Sequence, residues 1–367
     1  MATAPFNRKQ TKPPGNGSPA PDGRERGVGL RQVAKAAGVS TATVSRAINN
    51  PEAVSQDLRE RIGAVIERLG WVPDGAARAL ATRRSFTIGA VFPTLTQGDF
   101  GRAAHAIQNE LLGRGYTLLL ACSEYDLDQE FQQVRKFVER GVDGLILVGQ
   151  AHHPDLLGFL ERQKLPFIQT FVYDPATHGT CIGPDNHKTL YKLTEYLVGL
   201  GHTRFGVIAQ STRNNDRSTA RLAGIRDSLA NHGLAVRPQH LLIGQWTIAE
   251  GRQLFRQMIE AEPRPTVILC GNAYLSVGAM VEALSLGIKV PEEISIVGYD
   301  DIEIMSHLPV PVTTVRVPSE DVGTGAARWL LARVNNQEAD VALEYEAEIV
   351  IRASCGPPPG GHIVREG

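Results

Sequence analysis

The chain has 367 residues, 42% of them hydrophobic, and a net charge of −1. That length exceeds one compact core of ordinary size, so two or three domains are expected. No apolar run approaches the ~20 residues of a membrane-spanning helix, and the first residues lack the apolar stretch of a signal peptide.

Cys122, Cys181, Cys270 and Cys355 are scattered, with no CxxC pair and no zinc spacing. Free thiols in a reducing cytoplasm are expected. The near-neutral total hides an asymmetry. Residues 1–84 hold 14 Lys and Arg against 7 Asp and Glu, a charge of +7, and the remainder holds 24 against 32, a charge of −8. A basic head on an acidic body points to a polyanionic partner for the head.

Residues 1–26 are rich in Pro, Gly, Lys and Arg and read as a disordered tail. Residues 30–50 predict two short helices around the turn Gly38-Val39-Ser40. The first buries Val33, Ala34 and Ala37. Gly38 supplies the positive φ that ends it, and Ser40 caps the second helix. That helix turns Val44 and Ile48 inward, which leaves Thr41, Ala42, Ser45 and Arg46 outside. Periodicity alone also fits an ordinary helical hairpin, but the pattern is that of a helix-turn-helix, whose second helix can enter the DNA major groove. A third helix is predicted from an N-cap at Ser55, with Leu58, Ile62, Val65, Ile66 and Leu69 as its apolar stripe and Gly70 as its end.

From Thr87 the pattern changes to alternating strands and helices. Strands are predicted at 87–92, 117–122, 144–148, 166–170, 204–209, 266–270 and 294–298. Helices are predicted at 102–114, 128–140, 187–200, 218–231, 248–261 and 274–286. Strands near 313–317 and 346–352 flank a helix at 319–335. Repeated β-α units of this spacing give parallel sheets covered by helices. The fold class is therefore α + α/β: an N-terminal helix-turn-helix unit, then a body of two Rossmann-like lobes joined by crossovers, a periplasmic-binding-protein-like architecture with a ligand in the cleft. Residues 355–367, with Pro357-Pro358-Pro359, read as a frayed tail.

No catalytic constellation, phosphate loop or metal spacing stands out, so neither an enzyme nor a cofactor is expected. His152-His153, followed by Pro154, reads as a surface loop because no third ligand lies at a sensible spacing.

Ala36-Ala37-Gly38-Val39-Ser40-Thr41-Ala42-Thr43-Val44-Ser45-Arg46 closely resembles the headpiece of the lactose-repressor (LacI) family of bacterial transcription regulators, and the resemblance extends over about residues 28–352. It implies a sequence-specific DNA-binding regulator, most simply a repressor, whose operator affinity a small ligand controls. Its DNA-facing set would be Thr41, Ala42, Thr43, Ser45, Arg46 and Asn49, joined by Arg78 and Leu80 from a hinge. Leu80 matches the leucine that the family wedges into the minor groove. Asp74 stands where the family usually has Asn.

The resemblance further implies an effector site at strand ends. Arg221 precedes Leu222-Ala223-Gly224, Asn272 follows Cys270-Gly271, and Asp300 follows Val297-Gly298-Tyr299. Ala273 replaces the usual acidic neighbour of Asn272. Trp246 would lie at the cleft as a stacking platform or as core, and Phe100 would line the first lobe. Segments of that lobe look most like the gluconate-repressor branch, and a sugar or sugar acid is the expected effector. The implied domains are a tail (1–26), headpiece (27–72), hinge (73–85) and body (86–354). In the body, an N-lobe spans about 86–184 and 317–336, and a C-lobe about 185–313 and 340–354. The family's tetramer-forming leucine heptads are missing, so a homodimer on a pseudo-palindromic double-stranded operator, away from membranes, is expected. A transporter's solute-binding protein would share the two-lobed body but not the basic headpiece.

Overall fold

The computed structural model describes residues 28–73, 75, 79, 82, 84–175, 180–338 and 342–360. The chain divides into two compact units, Met1–Arg78 and Ala79–Gly367. The expected tail at 1–26 and the hinge residues Asp74, Arg78 and Leu80 lie outside the described residues.

The first unit is built on α1 (Leu30–Ala37), α2 (Thr41–Asn49) and α3 (Gln56–Leu69). Val33, Ala34, Ala37, Val44, Ala47, Ile62 and Val65 form its core. Gly38 ends α1 at φ 65°, and Ser40 Oγ accepts from Thr43 N at 3.1 Å to cap α2. Both follow the turn chemistry expected there. Ser55 does stand at the N-cap of α3, but its side chain makes no capping bond.

The second unit contains two six-stranded sheets. The first comprises β1 (Thr87–Phe92), β2 (Thr117–Cys122), β3 (Gly144–Val148), β4 (Phe167–Thr170), β5 (Cys181–Gly183) and β11 (Ala342–Glu344), in the order β11-β5-β4-β3-β1-β2. The second comprises β6 (Phe205–Gln210), β7 (Leu241–Gly244), β8 (Val267–Cys270), β9 (Ser295–Tyr299), β10 (Thr313–Arg316) and β12 (Glu348–Val350), in the order β12-β10-β9-β8-β6-β7. Every pairing is parallel except β10 with β12. The two sheets share one strand plan, with order reversing between β1 and β3 in the first and between β6 and β8 in the second.

Helices α4 (Gly98–Leu112), α5 (Leu127–Glu139) and α6 (Leu156–Gln163) belong to the first lobe. Helices α7 (Asn186–Gly199), α8 (Asp216–Asn231), α9 (Ile248–Glu260), α10 (Ala273–Ser285) and the short α11 (Ile304–His307) belong to the second. Helix α12 (Ser319–Val334) returns to pack on α4 and the first sheet. The chain thus passes between lobes near 184–186, near 317–318 and at 345–347.

Two expectations are corrected. The stretch 340–354 does not lie wholly in the second lobe. Ala342–Glu344 extends the first sheet beside β5, with Leu343 opposite Ile182, and so covers an otherwise open sheet edge. Residues from 355 do not fray at once. His202 Nε2 lies 2.9 Å and Ser295 Oγ 3.1 Å from the Gly356 carbonyl, and Gly356 N donates back to Ser295 Oγ at 3.1 Å. Backbone groups that would otherwise seek water are satisfied against the second sheet. Residues 361–367 lie outside the described residues.

Candidate functional site

On α2, Thr41, Ala42, Arg46 and Asn49 are exposed, with Thr43 and Ser45 partly so, while Val44 and Ala47 are buried. A helix of this length has one apolar stripe to bury, so its remaining positions form a continuous polar face. Thr43 Oγ1 lies 2.8 Å from Ser40 Oγ, and Asn49 Nδ2 donates to Ser45 Oγ at 3.2 Å. Arg46 makes no side-chain bond among the described residues, so its guanidinium is free to meet a base edge or a phosphate.

In the second unit a cleft opens at the carboxyl ends of both sheets, where the strand order reverses. Open α/β sheets bind ligands at this place because loops diverge there and leave a crevice. From the first lobe come Asp99 and Phe100, which follow β1, together with Tyr125 and Phe171. From the second come Asn215, Arg217 and Arg221, which follow β6, and Tyr299 and Asp300, at the end of β9. The sequence-predicted Phe100, Arg221 and Asp300 therefore meet in one cavity.

Each of the three is held by identifiable contacts. Phe100 packs edge-on against Phe171 at 5.0 Å and beside Phe92 at 5.9 Å. Arg221 donates from Nη1 to Asn186 Oδ1 at 3.0 Å, and its guanidinium lies 4.3 Å from the centre of the Tyr299 ring. Gly224, three residues on, explains the spacing of this motif. A Cβ there would stand 2.2 Å from the His187 carbonyl oxygen, so only glycine lets α8 lie close against α7. Asp300 adopts φ 67°, and its carbonyl accepts from Thr314 Oγ1 at 2.8 Å. Burial pushes its carboxyl up to about 6, while Arg221 and then Arg102 pull it back down. The Tyr299 phenol is pushed up to about 12, chiefly by burial.

Asn272 is not brought to the cavity. It is 1% exposed and caps α10: Oδ1 accepts from Leu275 N at 2.9 Å, and Nδ2 donates to the Gln245 carbonyl at 3.0 Å. With both ends of its amide engaged inside the fold, it acts as a helix cap. Trp246 is half-buried and lies beside the Tyr125 ring, centroids 5.3 Å apart, in an adjoining outer cavity. The His152-His153 stretch is a partly exposed loop, but the side chain of His152 turns inward. His152 Nδ1 lies 3.0 Å from both Glu130 oxygens, with both side chains buried, because a buried carboxylate needs a partner. No group of three potential metal ligands occurs among the described residues, and none of their helices is long and apolar enough to cross a membrane.

Asn186 and Asp216 were not singled out by sequence, whereas Arg217 is expected there as positive charge beside Arg221. Asn186 accepts from both Arg221 and Tyr299 OH (3.1 Å) and donates to the Phe171 carbonyl (3.0 Å), so it ties the two lobes together where the chain first crosses. Asp216 accepts from the backbone of Gln150 at 3.0 Å and of Ala151 at 3.4 Å across the cleft. Arg217, 6% exposed, lies against Gly149; a Cβ there would fall 1.6 Å from Arg217 Nη1. Gly149 also sits at φ 77°, which a side chain disfavours.

Residues 29–74 match the family described as bacterial regulatory proteins, lacI family, and residues 194–355 match the periplasmic binding protein-like domain. The chain is 30% identical over 329 residues to the HTH-type transcriptional repressor PurR of Aliivibrio salmonicida (strain LFI1238), covering 89% of this chain and 98% of that protein. It superposes on the lac repressor dimer bound to operator and the anti-inducer ONPF with a TM-score of 0.80 at 26% identity, over 90% of this chain and 99% of that one. A further neighbour is a complex of the transcriptional regulator CelR with cellobiose, with a TM-score of 0.65 at 25% identity, covering 89% and 100%.

Proposed function

Because this chain belongs to the lacI family of bacterial regulatory proteins, DNA-binding transcriptional repressors that carry a ligand-binding effector domain, we propose that it works as a cytoplasmic homodimer whose hold on a pseudo-palindromic operator is set by a small sugar acid in the cleft. In this reading, Thr41, Ala42, Thr43, Ser45, Arg46 and Asn49 face the major groove. A hinge over 73–85 brings Arg78 and Leu80 to the minor groove, where Leu80 opens a base step. The family's relatives are repressors, not enzymes.

The observation that carries the effector class is the state of Arg221. It donates a hydrogen bond to an amide oxygen, Asn186 Oδ1, and a guanidinium has five N–H donors in a fixed fork. Donors therefore remain for a carboxylate, with Arg217 adding a second guanidinium at the same strand end. Asp300 supplies an acceptor for hydroxyls. A ligand shifts DNA affinity only by binding the DNA-competent and incompetent arrangements unequally, and a cleft bridged by Asp216 and Asn186 has closed and open arrangements to distinguish.

Thermal-shift screening of sugar acids, neutral sugars and nucleobases tests the effector class, because binding stabilises the fold by mass action. Stabilisation by acids that disappears in Arg221→Ala is the expected result. A shift from neutral sugars alone, or one that survives the substitution, overturns it. Gel shifts on genomic fragments, with and without the acid found, test the regulation.

A further inference from the structure

The chain enters the second unit through three residues, Arg84, Ser85 and Phe86, that are tied down before β1 begins. Arg84 donates from Nη2 to the Val334 carbonyl at 2.9 Å and from Nη1 to Asn335 Oδ1 at 2.6 Å. Asp143, just before β3, accepts from Ser85 N at 2.8 Å, from Ser85 Oγ at 3.2 Å and from Phe86 N at 2.8 Å. Phe86 bends to meet it at φ 53°, a left-handed backbone that a bulky residue holds only where its surroundings impose it.

The partners of Arg84 stand at the end of α12. The last carbonyls of a helix lack acceptor partners within it, and the negative end of its dipole favours a cation there. Asn335 completes that end, for its Nδ2 donates to the Leu331 carbonyl at 2.8 Å. At 1.5 Å per residue the 16 residues of α12 span about 24 Å. Its other end starts directly after the crossover at 317–318, where Val317 lines the inner cavity of the cleft. Between these ends α12 is closely packed. A Cβ at Gly323 would stand 2.5 Å from the Ala103 carbonyl oxygen of α4, and one at Gly144 would stand 2.9 Å from Leu330 Cδ1. A helix packed this tightly passes a displacement along its length, because a dense interior transmits strain.

We propose that Arg84, Asn335 and Asp143 form a clamp through which α12 carries the state of the crossover to the hinge, with Arg84 as a positioning residue for operator binding. The clamp itself touches neither effector nor DNA. It fixes where the free segment 73–83 begins, so a shift of α12 becomes a shift in the starting point of the hinge. This rests on the reading of 73–85 as a hinge at the operator and adds the element that moves it.

The probe is a duplex that the full-length wild-type protein selects from random sequences. Arg84→Ala should weaken its binding about tenfold, since residues freed in the unbound protein must be ordered again on DNA. Arg84→Lys, which lacks the planar fork, should recover only part of the loss. The slope of log affinity against log salt should stay unchanged, whereas loss of a phosphate contact would lower it by about one. Hydrogen exchange gives the readout that a purely stabilising contact would not move. By reciprocity, the duplex should slow exchange at 85–86 and 331–335 in the wild type, and the response at 331–335 should vanish in Arg84→Ala. Asn335→Ala, which keeps the charge, should act in the same direction and replaces Arg84→Ala if melting temperatures show that variant unfolded. Unchanged affinity for the duplex, a smaller salt slope, or protection of 331–335 that survives the substitution overturns the clamp and leaves the hinge reading standing. A wild-type protein that selects no sequence overturns both.

Discussion

In the helix-turn-helix unit, the side chains offered for recognition lie within nine positions of one another on α2, whereas those of the cleft are drawn from Asp99 to Asp300 and from both lobes. The first set is fixed by a local rule. Burying Val44 and Ala47 obliges Thr41, Ala42, Arg46 and Asn49 to face outward. The second is fixed by topology: strands that end at a reversal of order deliver Arg221 and Asp300 to one place, and a chain crossing at Asn186 joins them. A surface made by one helix tolerates change elsewhere in the molecule, while a site made by many segments is sensitive to the backbone of each.

The sharpest test of that contrast is Gly149→Ala. The added methyl group would overlap Arg217 and Asp216 at a φ of 77°. A loss of about 3 kcal/mol is expected for the second unit, from overpacking together with a disfavoured backbone. Thermal unfolding followed by circular dichroism should show the body's transition move and the headpiece's remain; movement of both together would break the comparison. On the other side, Arg46→Ala should cost about 2 kcal/mol of operator affinity if it reads a guanine, with the effector-induced thermal shift intact. Fluorescence anisotropy that finds operator affinity unchanged removes Arg46 from the interface.

A smaller effect follows from the Asp300 carboxyl, pushed up to about 6 by burial. An unfolded aspartate titrates near 3.9, so between those values the native chain holds a proton that the unfolded chain lacks. Effector binding that uses the carboxylate as acceptor is half lost at about pH 6, where the group is half protonated, and should be about tenfold weaker at pH 5 than well above pH 6. Asp300→Asn should flatten the profile. Ligand affinity is the readout to use, because stability mixes opposing contributions. Protonation of Asp300 favours the native body as pH falls, whereas burial lowers His202 and disfavours the native body below about 6.5. The smallest effect, about 1 kcal/mol, is expected for Ser40→Ala, which removes the cap of α2. It should lower headpiece stability and operator affinity together and leave the cleft alone.

The two regions also differ in how much of each was legible in the sequence. The headpiece read almost completely, because its period, its turn glycine and its cap are all local signals. In the body, the long strands and helices read well. The strands β5, β7 and β11 did not, although β4, β8, β10 and β12 are as short and were read, so length alone does not account for the misses. Arg221 and Asp300 were found because their motifs sit at strand ends. Asn272 was placed in the site by the same argument and turned out to cap α10, for a residue at a strand end can face the crevice or the next helix with equal ease. Asn186, Tyr125 and Asp216 were missed because their importance lies in partners 15 to 113 positions away. The burial of His152 was hidden for the same reason, its Glu130 lying 22 residues earlier.

The threefold passage of the chain between lobes has a consequence for biosynthesis. The first sheet lacks its edge strand until residue 344 has emerged from the ribosome, and the second lacks one until residue 350. The headpiece, by contrast, is complete in its contacts by residue 73. A nascent chain therefore carries a finished DNA-reading module for most of its synthesis, joined to a sensor that stays unfinished until nearly the last residue. Such long-range strand pairing folds late and slowly. Until β11 and β12 arrive, one edge of each sheet stays unpaired and open to pairing with another chain.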